Sequence, residues 1–425
     1  MCVITKFFMK VFKFGGASAN SVERIQNIPV ILKQYQQEQV VMIISAMGKT
    51  TNALEKVTDA FFNGKNTEAL ELFSIIKKHH INTSKFLLVT LYNDCLNKLN
   101  DYFTEVEWLL HDKPIREYDY YYDQIVCIGE MLSTCIISYY LKEVGIENTL
   151  FDVRDILKTD NNFRDASINW DKTKTAIQHI QLHKSLSIIQ GFIGSTDENE
   201  STTLGREGSD YTAAIFANLL NAKSVTIWKD VEGVMNADPK TYKEAQLISE
   251  LSYNEVIEMA YYGAQVIHPK TIKPLQNKEI PLYVKSFLNT SLAGTVISNQ
   301  SEKNLPPIIV VKENQALVHL HTKDFSFVGE EPMSVLYQFF ADLNIKPNLI
   351  QTGAISVQIC LDNREDKIEQ LAFAASNLFE VNVEKGLQLL TIRHFTETLS
   401  NKLLSGKKII LQQQTQQTIQ TLYTV

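Results

Sequence analysis

The feature that most restricts this chain is a recurring unit: a short, continuously apolar run rich in β-branched and aromatic residues stops at glycine or polar residues and gives way to a helical pattern. Such runs occur at VFKF (11–14), VVMIIS (40–45), LSIIQGFIG (186–194), SVTIWKD (224–230) and IPLYVKSF (280–287). Helix-type segments lie between them: SVERIQNIPVILKQY, TAAIFANLLNA and SYNEVIEMAYYGAQVI. A strand that is apolar on both faces must be covered on both. The alternation therefore predicts an α/β fold, a mostly parallel sheet in an α/β/α sandwich. In such sheets ligands sit beyond the carboxyl ends of the strands, where the glycine-bearing loops of this sequence fall.

Two regions break the pattern. From about 52 to 150, ALEKVTDAFF, TEALELFSIIKKHH and LNDYFTEVEWLL carry apolar positions at three and four spacing, which reads as a helical insertion returning to the sheet near NTLFDVRDIL. The polar, proline-terminated SNQSEKNLPP (298–307) reads as a linker. Residues 308–385 then run strand, helix, strand, helix, strand, which suits an α+β ferredoxin-like module. The glutamine-rich tail KKIILQQQTQQTIQTLYTV is expected either to add one or two strands or to form a mobile end, with no room for a complete second module. A length of 425 residues with 44% hydrophobic content allows two packed cores.

Composition excludes several classes of function. Net charge is −7 with pI near 5.8, and no Lys/Arg block is long enough to track a phosphate backbone, so nucleic acid is not an expected partner. The five cysteines (Cys2, Cys95, Cys127, Cys135, Cys360) form neither a CxxC pair nor a zinc-type cluster, so buried free thiols in a reducing cytoplasm and no protein-held metal are expected. The N-terminal MCVITKFFMKVF is too short and too interrupted by lysine for a signal-peptide core, and Met9 is a candidate start. No apolar stretch reads as a membrane span, so a soluble cytoplasmic protein is expected, without a membrane partner.

Four loops carry candidate chemistry. In KFGGAS, Gly15 and Gly16 let backbone N–H groups approach an anion at a helix start, and Lys13 adds a full charge, although an isolated Gly-Gly is more commonly a plain turn. In ISAMGKTTNAL, Ser45 and Thr51 either contact a small polar substrate or cap the next helix. In TTLGREGSDYTAA, Gly205 and Gly208 flank Arg206, suited to a bidentate carboxylate pair, while Ser209 and Asp210 sit at a helix start, Asp210 as cap or catalytic organiser. In IWKDVEGVMNADPK, Lys229, Asp230 and Lys240 suit a nucleotide with Mg²⁺ positioned through water, or else a plain βα loop.

Taken together, KFGGAS, ISAMGKTTN, IGE (128–130), GFIG (191–194), TTLGREGSDYTAA, WKDVEGVMNADPK and YYGAQVIHPKTIKP (261–274), in this order and spacing, closely resemble the aspartokinases of the amino-acid kinase fold. The resemblance implies a catalytic domain over 1–298, a linker over 299–307 and an ACT-type regulatory region over 308–425 whose second ACT unit is truncated. It implies transfer of the γ-phosphoryl group of ATP, with Mg²⁺, to the β-carboxylate of L-aspartate. The product is 4-phospho-L-aspartate, the opening step toward lysine, threonine and methionine. The acceptor is already ionised at neutral pH, and the four candidate loops accordingly carry no histidine or HRD-like general base.

By position, the resemblance places Lys13 on the transferring phosphoryl group, Gly15 and Gly16 beside it, and Asp210 orienting Lys13. Arg206 would hold the α-carboxylate of aspartate and Glu130 its ammonium, with Ser45, Thr51, Phe192 and Ser209 around them. Lys229, Asp230, Lys240 and Gln265 would line the nucleotide site. Two departures stand out: Gln265 where relatives often carry a phosphate-contacting lysine, with Lys270 or Lys273 as possible compensation, and Ala17 for a common threonine. Asn348, Thr352 and Ser356 are candidate effector contacts. Gly353 and Ala354 stand where serine and glutamate often occur, so weak or absent lysine inhibition is expected. A homodimer through the ACT-type region is expected. Alternatives are an amino-acid sensor that has lost turnover and a kinase of the same fold acting on another acceptor.

Overall fold

The computed structural model describes residues 9–180, 186–300 and 304–424, which fall into two compact units. Residues 1–234, 247–257 and 266–302 make the first, and 235–246, 258–265 and 303–425 the second. Cys2 and residues 301–303 of the linker segment lie outside the described residues.

In the first unit, β1 (Met9–Phe14) leads through a 3-10 turn at Gly16–Ala19 to α1 (Val22–Leu32), whose first turn is capped by the Ser21 side chain. After β2 (Gln39–Ile44) the helical insertion appears as α2 (Thr50–Phe62), α3 (Asn66–Leu87), α4 (Tyr92–His111), α5 (Tyr118–Val126) and α6 (Ile128–Glu143). The chain returns as β3 (Asn148–Leu150), then α7 (Trp170–Gln178), β4 (Leu186–Gln190), β5 (Ile193–Ser195), β6 (Ser201–Thr203), α8 (Gly208–Leu220) and β7 (Ser224–Lys229). β8 (Glu250–Ser252), α9 (Tyr253–Tyr261), α10 (Pro269–Gln276), β9 (Leu282–Ser286) and β10 (Thr295–Ser298) follow.

Eight strands form one sheet in the order β3-β4-β2-β1-β7-β9-β10-β8, parallel except where β10 meets β9. β2 and β7 are buried almost without interruption, as their unbroken apolar runs require for central strands. Ring contacts of Phe12 and Phe14 with Trp228, and of Phe14 with Phe287, fasten β1 to its neighbours. The register is what gathers the motif loops: Phe14 stands beside Ile44 and Trp228, and Ile44 beside Gln190, so adjacent strands end level.

In this unit three expectations need correction. LSIIQGFIG is not one strand, because Phe192 adopts a positive φ of 73° and turns the chain into the separate β5–β6 hairpin. The helix expected through residue 267 stops at Tyr261, where Gly263 takes φ 105° and Pro269 starts a new helix. The stretch 118–143 is long and apolar enough for a membrane span; it is instead split at Cys127 into α5 and α6 and largely buried within the fold.

In the second unit β11 (Ile308–Thr322), α11 (Glu330–Asp342), β12 (Leu349–Thr352), β13 (Ser356–Asp362), α12 (Glu365–Ala375) and β14 (Phe379–Arg393) are followed by α13 (Glu397–Leu404), β15 (Lys408–Gln414) and β16 (Thr418–Thr424). The sheet order is β12-β13-β11-β14-β16-β15, and its first four strands have ferredoxin-like βαββαβ connectivity. The single strand expected over 349–362 is a hairpin, turned at Gly353–Ile355. Alternate residues of β11 serve two cores: Ala316, Val318 and Leu320 pack with Leu336 and Phe340, while Leu317 packs with Leu387 and Leu422. The glutamine-rich tail is paired, with Leu411 opposite Leu422 and β16 along β14.

Candidate active site

A cavity of about 460 Å³ opens at the level strand ends of the first unit. Eleven of the residues singled out in the sequence line it: Lys13, Gly16, Ser45, Thr51, Glu130, Phe192, Gly205, Arg206, Gly208, Ser209 and Asp210.

Lys13, next to last in β1, places Nζ 2.6 Å from Oδ1 of Asp210 in the first turn of α8. Both side chains are largely shielded, 12% and 4% exposed. Burial opposes charge on Asp210, yet Lys13 and Lys229 hold its carboxyl below the usual range, so the pair is ionic. Beside it the turns after β1 and β2 interlock: Gly48 N–H donates to the Gly16 carbonyl at 3.0 Å. A Cβ on Gly16 would lie 2.9 Å from the Ala46 carbonyl oxygen, so only glycine permits this approach.

Glu130 meets the cavity from the first turn of α6 and is 2% exposed. Its Oε1 accepts from Ala46 N–H at 3.1 Å, and its Oε2 has no partner. Burial pushes the carboxyl up to about 8 despite the opposing pull of the Ala46 N–H and Lys13. A buried acceptor of this kind matches a cationic donor on a ligand.

The loops around α8 complete the wall. Phe192 N–H donates to Thr212 Oγ1 at 3.0 Å, which helps hold the left-handed backbone at Phe192. Gly208 lies under that ring, since a Cβ there would fall 2.6 Å from Phe192 Cδ2. Arg206 is exposed and makes no hydrogen bond or ion pair among the described residues. It is a free planar cation at the mouth, suited to a carboxylate.

Other named residues lie elsewhere. Gly15 adjoins Lys13, and Lys229 donates to the Val266 carbonyl at 2.9 Å, but neither these nor Asp230 line the cavity. Lys240 and Gln265 belong to the second unit. Lys270 is committed to Asp165 at 2.5 Å and to the Leu204 carbonyl at 3.2 Å, and Lys273 is exposed. Asn348 is engaged by Lys312, Gln315 and Asp362, while Thr352 and Ser356 flank the β12–β13 turn. Asp123, Tyr122, Arg164, Thr203 and Glu207 were missed by sequence reasoning. Four of them line the cavity, whereas Asp123, buried behind it, accepts from Thr203 and from Arg164 N–H. They lie outside glycine-marked motifs, apart from Thr203 and Glu207, which stand within TTLGREGSDYTAA; the place of Glu207 between Gly205 and Gly208 was the available signal.

The chain is similar in sequence and fold to known proteins. A profile of the Amino acid kinase family matches residues 9–286. Aspartokinase 1, chloroplastic, from Arabidopsis thaliana is 31% identical over 409 residues, covering 90% of this chain and 70% of that protein. Lysine-sensitive aspartokinase 3 from Escherichia coli (strain K12) is 30% identical over 399 residues, covering 90% and 86%. The crystal structure of E. coli aspartokinase III in complex with aspartate and ADP, described as the R-state, superposes with TM-score 0.83 at 27% identity, covering 98% of this chain and 96% of that one. The complex of the same enzyme with lysine and aspartate, described as the T-state, gives TM-score 0.80 at 26% identity, covering 97% and 95%.

Proposed function

The chain belongs to the aspartokinases within the amino acid kinase family, and from that membership we propose that it transfers the γ-phosphoryl group of ATP to the β-carboxylate of L-aspartate. A carboxylate oxygen of aspartate forms a bond to the γ-phosphorus as the bond from that phosphorus to the bridging oxygen breaks. The products are 4-phospho-L-aspartate and ADP. The nucleophile is ionised without help, so the protein's task is to bring two anions together and neutralise the charge that moves between them.

The observation that carries the reading is one cavity holding a shielded Lys13–Asp210 pair, an unpartnered buried oxygen on Glu130 and a free Arg206. Lys13 meets the transferring phosphoryl group and Asp210 keeps its ammonium aimed there. Glu130 receives the substrate ammonium, Arg206 the α-carboxylate, and Ser45, Thr51, Ser209 and Phe192 close around them. Gly15 and Gly16 leave the backbone open to phosphate oxygens; Lys229, Asp230, Lys240 and Gln265 are assigned to the nucleotide.

No group of three metal-ligating side chains occurs among the described residues. This suits Mg²⁺, which is commonly held through the substrate's phosphates and few carboxylates, with Asp230 the one assigned to the nucleotide here, since Asp210 is paired with Lys13. When bound it would neutralise phosphate charge.

The E. coli relative is crystallised with lysine as well as aspartate. By analogy the second unit, the ACT-type region over 308–425, is assigned a regulatory role with an amino-acid effector, Asn348, Thr352 and Ser356 being its candidate contacts. Pairing of two such regions would make the enzyme a homodimer. The proposed compartment is the cytoplasm, and the proposed place of the reaction is the start of lysine, threonine and methionine synthesis. ADP release with a panel of acceptors tests the activity: aspartate should support turnover, whereas glutamate, acetylglutamate and UMP should not. Faster turnover with any of the latter would reassign the substrate.

A further inference from the structure

Three residues that line the cavity, Arg164, Phe192 and Glu207, have positive φ values of 69°, 73° and 54° without being glycine. Left-handed backbone at a long side chain is unfavourable and persists where surroundings enforce it, so each raises the question of what its side chain does.

Arg164 is the most telling. Its backbone N–H is held at 3.0 Å by Oδ2 of Asp123, the same oxygen that accepts from Thr203 N–H at 2.8 Å, while Asp123 Oδ1 accepts from Thr203 Oγ1 at 2.6 Å. Two residues on either side of Arg164, Asn162 and Ala166, are also fixed: Asn162 N–H donates to Asp160 and Ala166 N–H to the Thr203 carbonyl. A buried carboxylate thus fastens Arg164 to the strand that precedes the Arg206 loop. The side chain rests 3.1 Å from Asp119 and 3.8 Å from Glu55, over the Tyr122 ring at 4.4 Å. Those acidic partners are about half exposed, at 54% and 42%, and exposed ion pairs contribute little. They park the guanidinium at the cavity wall without accounting for the unfavourable backbone beneath it.

We propose that Arg164 is a specificity-determining residue of the aspartate subsite, exchanging its rim carboxylates for the substrate's α-carboxylate and sharing that group with Arg206. The inference rests on the aspartate reading given above. Two guanidinium groups on one carboxylate discriminate strongly against substrates in which that group is neutral.

The test compares the parent with Arg164→Gly, which relieves the left-handed strain, and Arg164→Lys, which keeps the charge but loses the planar fork. Aspartate and its α-amide are titrated by calorimetry, and aspartate kinetics are measured alongside. Arg164→Gly should melt no lower than the parent, weaken aspartate binding about tenfold or more, raise KM more than it lowers kcat, and shrink the preference for aspartate over the α-amide. Arg164→Lys should fall between. Unchanged aspartate affinity, or an unchanged preference over the α-amide, in folded Arg164→Gly overturns the proposal. A parent that binds aspartate without turnover fails the kinase reading alone, since the binding comparison still decides the role of Arg164. A parent that does not bind aspartate overturns both.

Discussion

Lys13 and Glu130 face the same cavity with opposite electrostatic situations, and each yields a residue-scale prediction. Lys13 is charged and matched by Asp210, so its ammonium is available where negative charge accumulates in transfer. Lys13→Ala should lower kcat by about a hundredfold or more while changing aspartate affinity little. Because that variant strands a buried carboxylate, Lys13→Ala/Asp210→Ala should recover stability but not activity. Steady-state kinetics beside thermal melts would show it, and a kcat near the parent's would remove Lys13 from the mechanism. Glu130 is held near 8 by burial in the folded protein against about 4.3 in an unfolded chain. Between those values the folded state binds more protons than the unfolded one, so ionisation costs stability as pH rises, fully so above about 8. Glu130→Gln should therefore gain stability over the parent as pH rises through that window, yet bind aspartate more weakly. Melts across that range check the sign, and a variant that loses ground with rising pH would contradict the burial argument. Lys13 was legible in the sequence because it stands just before a Gly-Gly turn, and Glu130 through the resemblance of IGE to an aspartokinase motif. Arg164 and Asp123 were not, since their importance comes from a left-handed backbone and a buried carboxylate that no spacing reveals.

At the scale of elements, the decisive contact is between the turns that follow β1 and β2. Parallel neighbours ending level bring both turns to one place, and Gly16 lets them touch. Gly16→Ala would press a methyl against the carbonyl oxygens of Ala46 and Gly48, at 2.9 and 3.0 Å, which are backbone atoms with little room to yield. It should cost about 1–3 kcal/mol in denaturant unfolding and raise KM for ATP. Full stability with unchanged ATP use would mean the loops tolerate separation. Apolar runs announced the sheet and its helices well, because burial on both faces leaves a composition signal. Breaks inside those runs were harder to foresee. Nothing in LSIIQGFIG marks Phe192 as the residue that turns the chain, and one apolar stretch over 349–362 hid a hairpin until strand pairing placed its turn at Gly353–Ile355.

For the whole molecule, the cavity belongs to the first unit and regulation is assigned to the ACT-type region of the second, each unit having its own buried core. The turn between β12 and β13 carries Gly353 and Ala354 and so offers no carboxylate to an effector's ammonium, while Asn348 is already engaged within its sheet. Lysine added to the working enzyme should inhibit weakly or not at all; strong cooperative inhibition would require a binding site elsewhere. The central claim is more direct: the cavity makes an acyl phosphate from aspartate and ATP. Incubating the folded protein with ATP, Mg²⁺ and aspartate in the presence of hydroxylamine traps such a product as aspartyl hydroxamate. The account predicts hydroxamate that depends on aspartate and is largely lost in Lys13→Ala, whereas no hydroxamate from well-folded protein would contradict it.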